Sequence, residues 1–251
     1  MSEYKLPHSK LLELRRWNGP SVYNGWETVS KRDRLESFNI NREEITDFAP
    51  QLGPMVGYAV TVEFCASNKK LSEENPDAFN KMFEYIASTP GPKIVFAKNL
   101  EVSENWGFFG ECIGNACLAL GCVGGITDGW VRDVDESTYG GFKTMGKFLG
   151  VGKGYPCPVS FGNEIEIFGA KIKPGLVVHA DRYGFVAMLE EETEHLLESI
   201  QFLDSNECNN MIPMLRETQG KSYQEILELI RKVNGAQFAE AAKFRNRILE
   251  L

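Results

Sequence analysis

One stretch concentrates residues that can do chemistry. Gly121-Cys-Val-Gly-Gly-Ile-Thr-Asp-Gly-Trp-Val-Arg-Asp-Val-Asp-Glu136 runs from an apolar segment into Asp128-Gly129 and then Arg132-Asp133. An arginine beside an aspartate at a strand end offers two tools. Arg132 can grip a carboxylate through its planar fork. Asp133 can hold a divalent cation through oxygen. The plainer reading of the same spacing is an Arg–Asp pair that braces a loop. Asp135 and Glu136 extend the acidic run, where such charges are usually solvated. Upstream, Trp106-Gly-Phe-Phe-Gly110-Glu111 is a glycine-containing turn entering a helix. Free N–H groups at a helix start bind anions. Twenty residues separate Glu111 from Arg132, about one helix and one strand, so Glu111, Arg132 and Asp133 can converge.

The elements that must position these residues alternate along the middle of the chain. Pro54–Phe64 is rich in β-branched residues and reads as a strand, with Gly57 at a bulge or a close approach. Pro76–Ser88 is a helix whose Phe79, Met82, Phe83 and Ile86 form one stripe for packing on a sheet. Lys93–Ala97 is a short buried strand. Glu111–Leu120 is a helix that Gly121 would end. Val123–Thr127 is a further strand. Strand, helix, strand, helix, strand argues an α/β fold.

The flanks differ. Lys5–Trp17 suits an amphipathic helix that Asn18-Gly19-Pro20 breaks, and Arg42–Phe48 suits a second, short one. From Thr138 the composition turns to glycine, proline and short β runs, with turns at Lys173-Pro174-Gly175 and Asp181–Gly184. Gly150-Val-Gly152-Lys-Gly154 does not fit a phosphate loop and reads as a flexible connection. After Leu189 the chain reads as helical. The expected organisation is an N-terminal helical segment over 1–50, an α/β domain over 51–189 and a helical tail over 190–251.

With 251 residues, 43% of them hydrophobic, the chain can bury a core. A formal net charge of −8 argues against nucleic acid as a partner. No apolar run is long enough to cross a bilayer, and the N-terminus has no signal-peptide pattern, so a cytoplasmic location is expected. The six cysteines read as buried, reduced thiols; Cys112, Cys117 and Cys122 are spread around a helix, which argues against zinc. His8, His179 and His195 are scattered, and His179 reads as a packing residue. Lys143 and Lys147 read as solvated loop residues, which leaves no placed lysine for an imine.

The acidic-x20-Arg-Asp spacing, with G-x-x-G-x-x-x-D-G-x-x-R-D, resembles the RraA-like family. That family includes class II 4-hydroxy-4-methyl-2-oxoglutarate/4-carboxy-4-hydroxy-2-oxoadipate aldolases. Pro54–Val62 is similar to the family's early strand and Pro174–Gly184 to its late hairpin. The resemblance implies a β/β/α swivelling domain assembled as a homo-oligomer, a trimer or hexamer, with sites between subunits. It implies a divalent metal, Mg²⁺ or Mn²⁺, on Asp133, and a 2-keto acid substrate held by Arg132. The backbone of Gly110, Glu111, Cys112 and Ile113 would receive the substrate carboxylate. Glu111 stands where the family has an aspartate that orients water. Glu207 is the match for a metal-site glutamate from a neighbouring subunit. The implied reaction is aldol cleavage to pyruvate with oxaloacetate decarboxylation. The alternative within the resemblance is a non-catalytic, protein-binding regulator of an RNA-degrading enzyme.

Overall fold

The computed structural model describes residues 6–101 and 106–249. These divide into two compact units. One joins the described residues up to Gly19 with Asp33–Glu190; the other joins Pro20–Arg32 with the chain after Glu190.

The chain opens on two helices, α1 (His8–Leu14) and α2 (Gly19–Val29). The expected helix over Lys5–Trp17 is shorter in the structure, and Lys5 lies outside the described residues. Asn18-Gly19-Pro20 separates the two helices and also starts the second. Proline is tolerated in a first turn because its missing N–H has no helical acceptor there. Three strands follow, β1 (Thr46–Asp47), β2 (Met55–Cys65) and, after helices α3 (Lys69–Glu74) and α4 (Ala78–Ser88), β3 (Lys93–Asn99). Next come β4 (Gly107–Phe109), α5 (Glu111–Ala119), β5 (Cys122–Val131), α6 (Val134–Gly140) and β6 (Lys143–Leu149). Five short strands complete the first unit: β7 (Cys157–Phe161), β8 (Ile165–Ile167), β9 (Ala170–Ile172), β10 (Val177–Asp181) and β11 (Gly184–Met188).

Nine of these strands form one sheet, in the order β1-β6-β5-β3-β2-β10-β11, with β4 also on β5 and β7 also on β2. Its centre, β2-β3-β5-β6, is parallel. Both faces of that centre are covered, so β2 and β3 are nearly continuous buried, mostly apolar runs, while β6 is buried only over its first half. Side chains alternate across it with period two. Ile94 and Phe96 of β3 join Met55, Ile126 and Met145 in one core, under Ile165, Ile172 and Val178. Val95 and Ala97 face the other way, onto Met82 and Ile86 of α4, Cys117 of α5 and Phe142. Gly57 is the close approach: a Cβ there would sit 2.8 Å from the Pro92 carbonyl oxygen.

Four expectations need correction, the last of them for the cysteines. Arg42–Phe48 is not helical. Its backbone is used by the sheet: Thr46 and Asp47 pair with β6, and the Phe48 N–H donates to Thr144 O. The adjacent Ile45-Thr46 favours that extended state. Gly150–Gly154 is a tightly packed segment. The Gly150 and Gly152 backbones lie against the Trp130 and Trp106 rings, and the Gly154 φ of 57° is positive. Lys143 is not solvated. It stands at the start of β6, 2% exposed, paired at 2.5 Å with Asp47. Lys147, on the same strand, pairs with Glu43 at 3.7 Å.

All six cysteines are free; Cys117, Cys122 and Cys157 are buried, but Cys65 is half-buried and Cys112 and Cys208 are exposed, and Cys122 starts β5 rather than sharing the α5 helix with Cys112 and Cys117. His179 is buried, with Nε2 2.8 Å from the Trp17 carbonyl oxygen, which is a packing role.

The second unit holds α2 from Pro20 on, with α7 (Leu196–Asn206), α8 (Ile212–Arg216) and α9 (Tyr223–Leu249). Gly25 lets α2 and α7 meet closely, since a Cβ there would lie 2.5 Å from Ile200 Cγ1. Phe202 stacks on Phe244 at 4.4 Å, and Arg32 grips Glu192 through two nitrogens. Glu207 starts a short π-helical turn, Glu207–Met211, in this unit. Among the described residues no helix is long and apolar enough to cross a membrane.

Candidate active site

The sheet delivers Arg132-Asp133 to its carboxyl edge. β5 is longer than its apolar core, and a register shift between Thr127 and Trp130 carries it on to Val131. The Arg132 N–H then donates to Phe109 O at 3.0 Å, which fastens the strand end beside β4 and the start of α5. Glu111 and Arg132 thus meet through one helix and one strand.

Asp133 is the sharpest feature. Its φ of 50° and ψ of 45° are left-handed. A residue with a Cβ rarely adopts that conformation; aspartate is among those that tolerate it best. The turn sends the chain from β5 into α6, yet the Asp133 side chain does not cap α6. Its Oδ2 instead accepts the backbone N–H of Glu111 at 3.2 Å, at the start of α5. Gly110 makes room for this. A Cβ at Gly110 would lie 2.7 Å from Asp133 Oδ2. Gly107 does the same for its neighbour, since a Cβ there would lie 2.7 Å from Arg132 Cδ. The two glycines of the Trp106–Glu111 turn are therefore close-approach positions for the Arg132 and Asp133 side chains.

The Arg132 guanidinium and the Asp133 carboxylate form an ion pair too long for a hydrogen bond. They are 3.9 Å apart, and their side chains are 29% and 39% exposed. The N–H groups of Cys112 and Ile113 lie in the first turn of α5, where a helix offers no carbonyl partner. An arginine fork, a carboxylate and a helix start thus border one cleft of about 440 Å³. Gly110, Cys112, Ile113, Arg132 and Asp133 all line it. Glu111 meets the group through its backbone N–H, while its side chain is exposed. Glu207 lies in the second unit. Asp133 is the carboxylate of the cleft wall, and among the described residues no three His, Cys, Asp or Glu side chains gather as a metal cage.

Asp128, on the same strand, is already used. Its Oδ2 accepts from Lys98 Nζ and its Oδ1 from the Asn99 N–H at 2.6 Å. Burial pushes its carboxyl up, against the opposing pull of those donors. It braces the ends of β3 and β5 and is no part of the cleft.

Sequence reasoning missed Phe79, Phe83 and Lys153, which also line the cleft. The α4 stripe of four apolar residues carries two jobs. Met82 and Ile86 are buried in the core, while Phe79 and Phe83 are half-buried and turned to the cleft. Its width, four positions within eight residues, was the available signal. Lys153 sits in the glycine segment that packs on the two tryptophans, and its side chain is exposed.

The sequence model of the RraA-like family, described as Aldolase/RraA, matches residues 28–187. Among solved structures, a protein described as a novel cellulase from microbes of the gut ecosystem superposes with a TM-score of 0.67. It is 15% identical over 83% of this chain and 90% of that one. An uncharacterized protein from Pseudomonas syringae pv. tomato gives 0.66 at 16% identity, over 90% and 96%. RraAS2 of Streptomyces coelicolor, described as an unusual member of the RNase ES inhibitor RraA protein family, gives 0.64 at 17% identity, over 83% and 100%. At these identities the likeness is one of fold. No curated protein matches the chain. The matched segment carries the central sheet up to Ala187, one residue before the end of β11, together with the Arg132-Asp133 edge, and the chain belongs to the RraA-like family.

Proposed function

We propose that the chain is a divalent-metal-dependent lyase that cleaves 4-hydroxy-2-keto acids to pyruvate and also decarboxylates oxaloacetate. One observation carries this reading. Arg132, the strained Asp133 and the open first turn of α5 border a single cleft, with the two charges too far apart to hydrogen-bond to each other.

The donor set fits Mg²⁺ or Mn²⁺. Such ions take one or two protein carboxylates and keep several waters. Asp133 offers a part-exposed carboxylate and would hold the ion. When bound, the ion supplies Lewis-acid polarisation of the substrate's 2-keto oxygen. The rest belongs to the chain. The first-turn N–H groups of Cys112 and Ile113 receive the substrate carboxylate. Arg132 donates its fork to the oxygen on which enolate charge develops, which lowers the barrier because that charge is larger in the transition state than before it. The C3–C4 bond breaks with its electron pair left on C3, and the 4-hydroxyl proton passes to a water that Glu111 orients. Breaking the carboxylate bond of oxaloacetate leaves the same enolate. An imine is not needed: imine-forming lysines sit desolvated in apolar pockets, whereas Lys153 is exposed.

The site is proposed to be completed in a trimer or hexamer, with Glu207 supplied by a neighbouring subunit. Apolar side chains left open on the first unit support an oligomer: Tyr139 and Val151 are each 94% exposed, and Leu149 is 59% exposed.

The test is pyruvate release from oxaloacetate and from several 4-hydroxy-2-keto acids. EDTA should abolish turnover, Mg²⁺ or Mn²⁺ should restore it, and borohydride with substrate should trap no adduct. Turnover that survives EDTA, or a borohydride-trapped enzyme, overturns the reading. A chain that turns over none of these acids would instead stand with the protein-binding members of the family.

A further inference from the structure

The cleft has two unlike ends. At one end lie Arg132, Asp133 and the start of α5. Lys153 belongs to the same end by its backbone. Its neighbour Gly152 accepts the Gly107 N–H at 3.0 Å, and Gly107 abuts Arg132 Cδ. The other end is the groove between α4 and α5. Phe79 and Phe83, one turn apart on α4, have ring centroids 6.3 Å apart, and Phe79 stacks on Phe108 at 6.3 Å and 24°. Ile113 and Ala116, three apart on α5, form the facing wall. At about 1.5 Å per residue, Ala116 lies about 7.5 Å along the axis from Glu111. Among the described lining residues, the only cations are Arg132 and Lys153, and the α4–α5 walls carry none.

We infer that the substrate carries an aromatic group on C4, so that cleavage releases pyruvate and an aromatic aldehyde. This deepens the lyase reading and rests on it. The cations and the helix start take the C1 carboxylate and the keto oxygen. The remaining chain then runs along the α4–α5 groove. A second carboxylate there would lose its water among phenylalanine rings, with no cation among the described residues of those walls to replace it, which is strongly unfavourable. A phenyl ring gains what the carboxylate loses. It packs against Phe79 and Phe83 edge-on or offset, as aromatic pairs prefer. The volume agrees: about 440 Å³ lies in the range of sites for ligands well larger than a three-carbon acid. Atoms and electrons balance without a further reactant. The C3–C4 pair stays on C3, C4 becomes the aldehyde carbon, and the hydroxyl proton is returned at C3.

The experiment uses the full chain with Mg²⁺. Turnover is compared on 4-hydroxy-2-oxo-4-phenylbutanoate and on 4-hydroxy-2-oxoglutarate. Calorimetry compares binding of the unreactive 2-oxo-4-phenylbutanoate and 2-oxoglutarate. One methylene in an apolar pocket is worth about 10–200-fold, so the phenyl compounds should be favoured at least about tenfold in kcat/KM and in Kd. Phe83→Arg, which places a cation in the groove, should shrink or reverse both ratios. Deuterium exchange into the methyl group of pyruvate reports enolate formation with no tail involved. Exchange with equal or better use of the dicarboxylates overturns the inference and leaves the lyase reading standing. No exchange and no cleavage removes both.

Discussion

Two acid–base pairs stand at opposite ends of the β5–β6 region, and they are built in opposite ways. Lys143, at the start of β6, is sealed: the side chains of Lys143 and Asp47 are 2% and 4% exposed and 2.5 Å apart. Lys143 Nζ also donates to Ala49 O at 3.0 Å. Arg132 and Asp133, past the end of β5, are 3.9 Å apart, part-exposed, and set on a left-handed residue. A pair that satisfies itself has nothing left for a ligand. A pair held apart by its backbone keeps both charges available. The difference separates a brace from a candidate site more sharply than residue type does, since each pair is one cation and one aspartate.

The largest expected effect comes from breaking the sealed pair. Asp47→Asn leaves the Lys143 ammonium buried without its counter-charge. Removing one partner of a buried pair costs about 3–5 kcal/mol, or about 6–20 °C of Tm in a chain of this size. Turnover per folded molecule should stay near that of the parent. The pH dependence has a definite sign. Burial already holds the Lys143 ammonium below the ordinary lysine value, with Asp47 pulling the other way. For a base with a depressed folded pKa, the unfolded chain binds more protons between the folded and unfolded values, so stability rises with pH across that window. Asp47→Asn removes the opposing pull and widens the window downward. The Tm deficit should therefore shrink between neutral pH and about pH 10. A deficit that grows with pH contradicts this assignment.

The open pair should respond in turnover instead. Arg132→Lys keeps the charge and loses the fork, and should lower kcat by about 10²–10³-fold. Asp133→Asn should act through the metal, so raised Mg²⁺ should partly restore Asp133→Asn and leave Arg132→Lys unchanged. Wild-type turnover in both variants, with a lowered Tm, would make this pair a second brace.

Gly110→Ala probes position without removing either charge. Gly110 has an extended φ of −157°, so alanine fits the backbone. The added methyl reaches Asp133 Oδ2, the mobile end of a side chain, which can move aside with little loss of stability. A displacement of about 1 Å can cost up to about 10²-fold, so turnover should fall about ten- to a hundredfold with Tm nearly constant. Equal turnover would mean that the Asp133 carboxylate need not rest on α5.

The α/β alternation was legible because β2, β3 and β5 are covered on both faces, so each has a buried, mostly β-branched or apolar middle bounded by turn residues. Arg132, Asp133 and the α5 start were legible because one helix and one strand fix their separation. What the sequence hid was long-range. Thr46 and Asp47 form a strand because the β6 edge is there to receive them, and nothing local signals that edge. Lys143 looks like any lysine near glycines until Asp47, ninety-six positions earlier, comes to meet it. Phe79 and Phe83 share a stripe with core residues, and only the position of α5 decides which of them face a cleft. Asp128 shares a motif with Asp133, and its pairing with Lys98 depends on how β3 and β5 align.

The smallest expected effect isolates the backbone of Asp133. Asp133→Ala and Asp133→Gly both remove the carboxylate, and both should abolish metal-dependent turnover. They differ in one respect. Alanine keeps a Cβ at a φ of 50°, whereas glycine has none to clash. Left-handed backbone costs a residue with a Cβ about 1–2 kcal/mol, and glycine returns part of that, about 0.5–1 kcal/mol, as extra entropy of its unfolded state. The glycine variant should therefore be the more stable by up to about 1 kcal/mol, or about 2–4 °C in Tm. It should match or exceed the parent, because the Glu111 N–H that it releases is exposed to water. This outcome would make Asp133 a position where the chain gives up stability to hold a carboxylate beside α5, which a brace has no reason to do. Equal melting of the two variants would remove backbone strain from the account, and the open pair would then rest on its geometry and exposure alone.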